Sequence, residues 1–168
     1  MKKTVFKTRF LKKDEIISLT EEVKFFPDLI YVSERIWKKQ KAHIFEVDNR
    51  FAGVIVAYQF NDWVKLGPLV ILNKYQGKGL GKELLKYAID RYSQKNIFIN
   101  STNPKVERIA ASLGFKKKLS FLSLPQTVKI FLLKHSFEYV GIKTIREAIR
   151  KRLTGRRSKR LYFIRFSP

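Results

Sequence analysis

The chain is most constrained by residues 66–85, which read Leu-Gly-Pro-Leu-Val-Ile-Leu-Asn-Lys-Tyr-Gln-Gly-Lys-Gly-Leu-Gly-Lys-Glu-Leu-Leu. The first part is apolar and β-branched, as a buried strand requires. The middle is short and polar, and its Gly77, Gly79 and Gly81 are three of the eight glycines in the chain. The last part opens an apolar face at helical spacing: Leu80, Leu84, Leu85, Ala88, Ile89 and Tyr92. The segment predicts strand, glycine loop, helix. Glycine lets backbone approach a ligand closely, and a helix start offers unpaired N–H groups at the positive end of the helix dipole. That combination cradles phosphate.

Spacing selects among phosphate ligands. A P-loop needs Ser or Thr after Gly-Lys, but Glu83 follows Gly81-Lys82. A dinucleotide fingerprint begun at Gly77 needs a glycine where Lys82 stands. What remains is Gln76-x-x-Gly79-x-Gly81 directly after an apolar strand. This resembles the acyl-CoA-binding motif of the GNAT superfamily of N-acetyltransferases, whose pattern is Gln/Arg-x-x-Gly-x-Gly/Ala. Leu66-Gly67-Pro68 with its apolar run, and then Tyr75-Gln76-Gly77-Lys78-Gly79-Leu80-Gly81, look most like small bacterial acetyltransferases. A second stretch, residues 103–115, matches the family segment in two places. Asn103 stands at the start of a helix, and Gly114-Phe115 follow it. The resemblance runs to about residue 134.

Composition bounds the rest. With 168 residues, 45% of them hydrophobic, the chain can bury one real core. It has no cysteine, so disulfides, thiolate zinc sites and a cysteine nucleophile are closed to it. Two histidines, His43 and His135, are too few for a histidine-rich metal site, so no metal is expected. No apolar signal core follows the basic start, and no apolar run is long enough to span a bilayer, so a cytoplasmic protein is expected.

Along the chain, strands are predicted over 4–10, 43–47, 52–60, 64–72 and 96–101. Helices are predicted from Lys13, after Pro27, from Gly79 and from Asn103-Pro104. Asp48-Asn49 reads as a hairpin turn. Gly67-Pro68 predicts a bulge or splay inside the central strand, because proline cannot donate to a ladder. Residues 116–121 and 128–133 read as two more strands joined around Pro125. The expectation is an α+β fold: a mixed, mostly antiparallel sheet, splayed at the acyl-CoA site and flanked by helices, as in the GNAT family.

The resemblance implies roles. Backbone groups of Leu69 and Ile71, where the central strand splays from 96–101, pair with pantetheine as an added strand does and serve the oxyanion. The N–H groups of Gly77, Lys78, Gly79, Leu80 and Gly81 take the pyrophosphate, Gln76 lines the loop, and Lys78 and Lys82 add charge. Asn103 completes the acyl-CoA site. Acetyl-CoA or another acyl-CoA is the implied co-substrate, and direct attack by an amine of unknown identity is the implied reaction. The alternative is a fold of this family that binds acyl-CoA or nucleic acid with little catalysis.

Two departures bear on mechanism. Ala110 stands where the family places its proton-donating Tyr, and a tyrosine there is expected to face the thiol. The donor is then water, Tyr75 or absent. The stretch Leu66-Gly67-Pro68-Leu69 holds none of the acids often found there. The carboxylates left near the expected cleft are Glu46, Asp48 and Asp62, and the alternation of Glu46 with Phe45 and Val47 favours the solvent face for it.

The net charge of +22 favours anionic partners. Residues 135–168 hold ten basic and two acidic residues, and seven of the chain's twelve arginines. Ile142, Ile145, Ile149 and Leu153 predict a helix face there, followed by Arg156, Arg157, Arg160 and a strand over 161–166. This reads as a basic extension to a 1–134 acetyltransferase domain, packed on it or swapped into a homodimer. It is also the expected contact for a polyanion such as RNA or DNA.

Overall fold

A computed structural model describes residues 3–26, 34–39, 41–139 and 161–167. The elements run β1 (Thr4–Arg9), α1 (Lys13–Val23), α2 (Glu34–Lys39), β2 (Ala42–Val47), β3 (Arg50–Phe60), β4 (Trp63–Ile71), α3 (Leu80–Arg91), β5 (Asn96–Ser101), α4 (Pro104–Ser112), β6 (Lys116–Lys118), α5 (Gln126–Tyr139) and β7 (Leu161–Arg165). Leu29, Val32, the predicted helix over 142–153 and Arg156, Arg157 and Arg160 lie outside the described residues.

The strands form one seven-stranded sheet in the order β1-β2-β3-β4-β5-β7-β6. Only β4 and β5 pair in parallel; the other neighbours are antiparallel. Alternation along the strands makes two apolar faces. On one, Phe45, Ile55, Val64, Leu66, Ile97, Ile99 and Phe163 meet Leu84, Leu85, Ala88 and Ile89 of α3 and Ala110 of α4. On the other, Ala42, Ile44, Val54 and Val56 meet Ile16, Leu19 and Val23 of α1 and Trp37 of α2. Farther along that face, Trp63, Phe98 and Ile164 meet Val128 of α5.

Local chemistry starts the helices as expected. The Glu15 carboxylate accepts the Lys12 N–H at 2.8 Å, at the open end of α1. Asn103 Oδ1 accepts the Lys105 N–H at 2.9 Å, with Pro104 in the first turn of α4. Asp48 and Asn49 adopt positive φ in the β2–β3 turn, as a type I′ hairpin needs.

The predicted strand over 128–133 is helical instead, within α5. A short apolar run has no period that separates a strand from a buried helix. The Pro125 carbonyl accepts the Lys129 N–H at 3.0 Å, so this proline opens a helix rather than joining two strands. The predicted strand from 116 stops at Lys118. The place between β5 and β6 is taken by β7, which pairs with β5 on one side and β6 on the other. Residue 134 lies inside α5.

Candidate acyl-CoA site

The site begins with a bulge in β4. Ile55 faces Leu69 and Ala57 faces Leu66, so β4 spends one extra residue across Gly67-Pro68. Pairing with β5 ends at the same place, with Leu66 opposite Ile99 as the last row. Beyond it β4 continues to Ile71 against β3 alone, so its other edge opens toward the end of β5.

Register decides which groups that edge presents. The Leu72 N–H donates to the Ala52 carbonyl at 2.9 Å, which makes Leu72–Ala52 a hydrogen-bonded pair. In an antiparallel ladder such pairs alternate. Val70 opposite Val54 is therefore the next one, and Ile71 and Leu69 turn their N–H and C=O groups away from β3. The Ile71 carbonyl is taken by Gln76 Nε2 at 2.9 Å, which also bonds Asn73 Oδ1 at 3.1 Å. Among the described residues, the Leu69 N–H and C=O and the Ile71 N–H remain as an unpaired strand edge.

The loop meets this edge. Gly77 and Gly79 have φ of 78° and 76°, a region that other residues enter at a cost. Gly79 is the N-cap of α3. The Lys82 and Glu83 N–H groups bond back to its carbonyl at 2.9 and 3.3 Å. The N–H groups just before them have no carbonyl a turn behind to meet. Lys78 and Lys82 are exposed beside them. Leu80 is half-buried against the α3–α4 core. Asn103 spends its Oδ1 on the Lys105 N–H and its own N–H on Ser101 Oγ at 3.0 Å, which leaves the Nδ2 end for a ligand.

Tyr75 and Glu46 are the two candidate side chains for proton transfer. Tyr75 lines a cavity with Val47, Asp48 and Arg50 and packs against both apolar clusters, the one with Ile71, Leu69 and Leu80 and the one with Val70 and Leu72. Glu46 is only 6% exposed, so the solvent-face expectation fails. Its carboxylate accepts Lys7 Nζ at 2.6 Å and Arg9 at 3.1 Å, and Arg9 also holds Glu15 at 2.6 Å. Burial works to raise the Glu46 carboxyl, but the hydrogen bonds from Lys7 and Arg9 outweigh it and hold it below the ordinary range. It lines a cavity of about 350 Å³ with Glu15, Arg50 and Lys74, on the β2–β3 side of β4 rather than in the gap beside β5.

Ala110 is fully buried in the core between α4 and the sheet, with Ile97, Ile99, Phe115 and Phe163. Ser112 donates to the Ile109 carbonyl at 2.8 Å and is exposed.

Sequence reasoning passed over Gly53. An ideal Cβ there meets Ile71 Cδ1 at 2.5 Å and the Val70 carbonyl oxygen at 2.8 Å. A glycine inside an apolar strand is the signal that marks such a close approach.

A splayed β4 edge, followed by a glycine loop and a helix start, on a mixed sheet of this order, defines an N-acetyltransferase fold. Residues 17–121, more than half of the chain, match the family model described as acetyltransferase (GNAT) domain. The chain belongs to the GNAT acetyltransferase family. No curated protein sequence matches it. Among solved structures it is similar to N-acetylglutamate synthase from Neisseria gonorrhoeae complexed with coenzyme A and N-acetyl-glutamate, at TM-score 0.68 and 18% identity. That match covers 99% of this chain and 35% of the synthase, so the chain spans about a third of that protein. The ribosomal-protein-S18-alanine N-acetyltransferase of Escherichia coli gives TM-score 0.64 at 14% identity, covering 98% of this chain and 94% of the enzyme. The acetyltransferase yncA of Salmonella typhimurium, solved with acetyl-CoA, gives 0.60 at 17% identity, covering 98% and 95%. At these identities the likeness is one of fold.

Proposed function

We propose that this chain transfers an acyl group, acetyl in the first instance, from an acyl-CoA to an amine by direct attack. The observation that carries the reading is the unpaired edge of β4 at Leu69 and Ile71, directly beside the glycine loop and the start of α3. In this reading the loop N–H groups from Gly77 to Gly81 hold the pyrophosphate, with Lys78 and Lys82 adding charge. The β4 edge takes pantetheine as an added strand, and a β4 N–H stabilises the oxyanion. The amine nitrogen bonds to the acyl carbon, the carbon–sulfur bond breaks, and the amine's proton leaves to solvent.

No side chain is assigned to acid or base catalysis. Position 110 lies in the core, and Glu46 is held as an ion pair. A thiolate is a tolerable leaving group, so water suffices as its proton donor. The roughly 10²-fold or more that a positioned acid supplies is then forgone.

The test is release of free thiol from acetyl-CoA across a panel of amines: amino acids, diamines and peptides with free N-termini. Thiol release that depends on one class of amine, with the acetylated amine recovered by mass, supports transfer. Binding of acetyl-CoA without turnover on any of them leaves the non-catalytic binding module instead.

A further inference from the structure

Lys65 lies on β4 one residue before its pairing with β5 ends, opposite Tyr58 of β3 and Phe98 of β5. We infer that it is a positioning residue for acyl-CoA: its ammonium holds the Gly67 carbonyl, and through that carbonyl the stretch of β4 that presents the Leu69 N–H. The proposal rests on the acyl-CoA reading of that edge.

A lysine is rarely buried, yet Lys65 stands in the middle of the sheet at 8% exposure. Its Nζ donates to the Gly67 carbonyl at 3.1 Å and stands 4.7 Å from the centre of the Tyr58 ring. Helix α5 closes over that ring. His135 lies edge-on to Tyr58 at 4.6 Å, and Phe131 stacks on Phe60 at 4.0 Å. The ammonium is thus seated on β3 under α5, on ground that does not belong to the ligand edge itself.

The carbonyl it holds has lost its place in the sheet. Neither ladder pairs Gly67 or Pro68: on the β3 side the rows go from Leu66 opposite Ala57 to Leu69 opposite Ile55, and on the β5 side they stop at Leu66. Gly67 has φ of 118°, in a region that glycine enters freely, so it supplies no stiffness of its own. Between the Gly67 carbonyl and the Leu69 N–H stands only Pro68, whose ring fixes φ. A single soft torsion, the Pro68 ψ, therefore separates the two peptide planes. Where the carbonyl points largely decides where the Leu69 N–H points. Lys65 supplies the bond that the ladders withhold at this step, and the edge takes its direction from it.

The test compares the full wild-type chain with Lys65→Met and Lys65→Arg, each shown to be folded by circular dichroism. Methionine keeps an unbranched stem beside Tyr58 and removes the donor; arginine restores one. Calorimetric titration with acetyl-CoA should show affinity at least roughly tenfold weaker in Lys65→Met and within roughly threefold of wild type in Lys65→Arg. ADP carries the pyrophosphate without pantetheine, so it reports the glycine loop alone and should bind wild type and Lys65→Met alike. Wild-type affinity for acetyl-CoA in Lys65→Met overturns the proposal. So does a Lys65→Arg chain as weak as Lys65→Met, or a loss for ADP equal to that for acetyl-CoA, which marks general loosening rather than a displaced edge. If Lys65→Met does not fold, Lys65→Gln, whose amide stops one bond short of the ammonium, takes its place with the same outcomes. If the wild-type chain gives no acetyl-CoA heat at all, the acyl-CoA reading itself has failed.

Discussion

His43 on β2 is 2% exposed, with Nδ1 at 2.9 Å from Thr8 Oγ1 and Nε2 at 3.2 Å from the Tyr92 hydroxyl. Burial first, and the nearby Arg91 charge second, push it down from 6.5 to about 4. His135 on α5 is pushed to about 4 as well, by burial and then by Lys65 and Lys39. Both are neutral in the folded protein at neutral pH. Between about 6.5 and 4 the unfolded chain takes up protons that the folded chain refuses. Stability is therefore full above the upper value and falls as the pH drops through this window. Each histidine contributes a slope approaching about 1.4 kcal/mol per pH unit. Glu15 and Glu46 are held low, so their loss comes below the ordinary carboxylate value of 4.5 and does not mask the histidines. Urea unfolding should show lower stability near about pH 5 than near about pH 7, with a smaller drop in His43→Gln. Equal stability at both would contradict neutral burial of His43.

At the scale of elements, the strand nearest the end of the sequence holds the sheet together. β7 pairs five residues with β5, Ile97–Arg165 through Ser101–Leu161, and three with β6. It also buries Phe163 and Ile164, one on each face, at 1% exposure. Removing it strips β5 of a ladder and opens both cores, a loss of roughly 3–5 kcal/mol for the Phe163 side chain alone. A chain ending before Leu161 should therefore lose its cooperative thermal transition, whereas a full-length chain keeps it. A truncated chain that melts as the full chain does would contradict the pairing. The β4–loop–α3 unit was legible in the sequence because three local signals agree there: an apolar run, spaced glycines and a 3.6-residue face. The Gly67-Pro68 bulge was legible because proline lacks a donor. The α5 helix was not, since Val128, Ile130, Phe131, Leu132 and Leu133 are apolar on every face of any regular element. Nor was the insertion of β7 between β5 and β6, which depends on pairing between segments more than forty residues apart. Glu46 alternated correctly, but no local pattern announces that Lys7, Arg9 and α1 would cover it.

At the scale of the whole molecule, the sheet has one seam. β4 parts from β5 after Leu66 and Ile99 and runs on to Ile71 against β3 alone. The two helical layers enclose that seam from either face, α3 and α4 on one side and α1, α2 and α5 on the other. The central claim is that the seam and the glycine loop bind acyl-CoA together. The most direct measurement is calorimetric titration of acetyl-CoA into the folded wild-type chain and into Gly79→Glu. Gly79 has φ of 76° and open space around an added Cβ, so a glutamate fits sterically at some backbone cost and puts a carboxylate at the proposed pyrophosphate site. One acetyl-CoA is expected per wild-type chain, with affinity weakened by at least roughly a hundredfold in folded Gly79→Glu. No binding to the wild-type chain, or equal affinity in the two proteins, would contradict it.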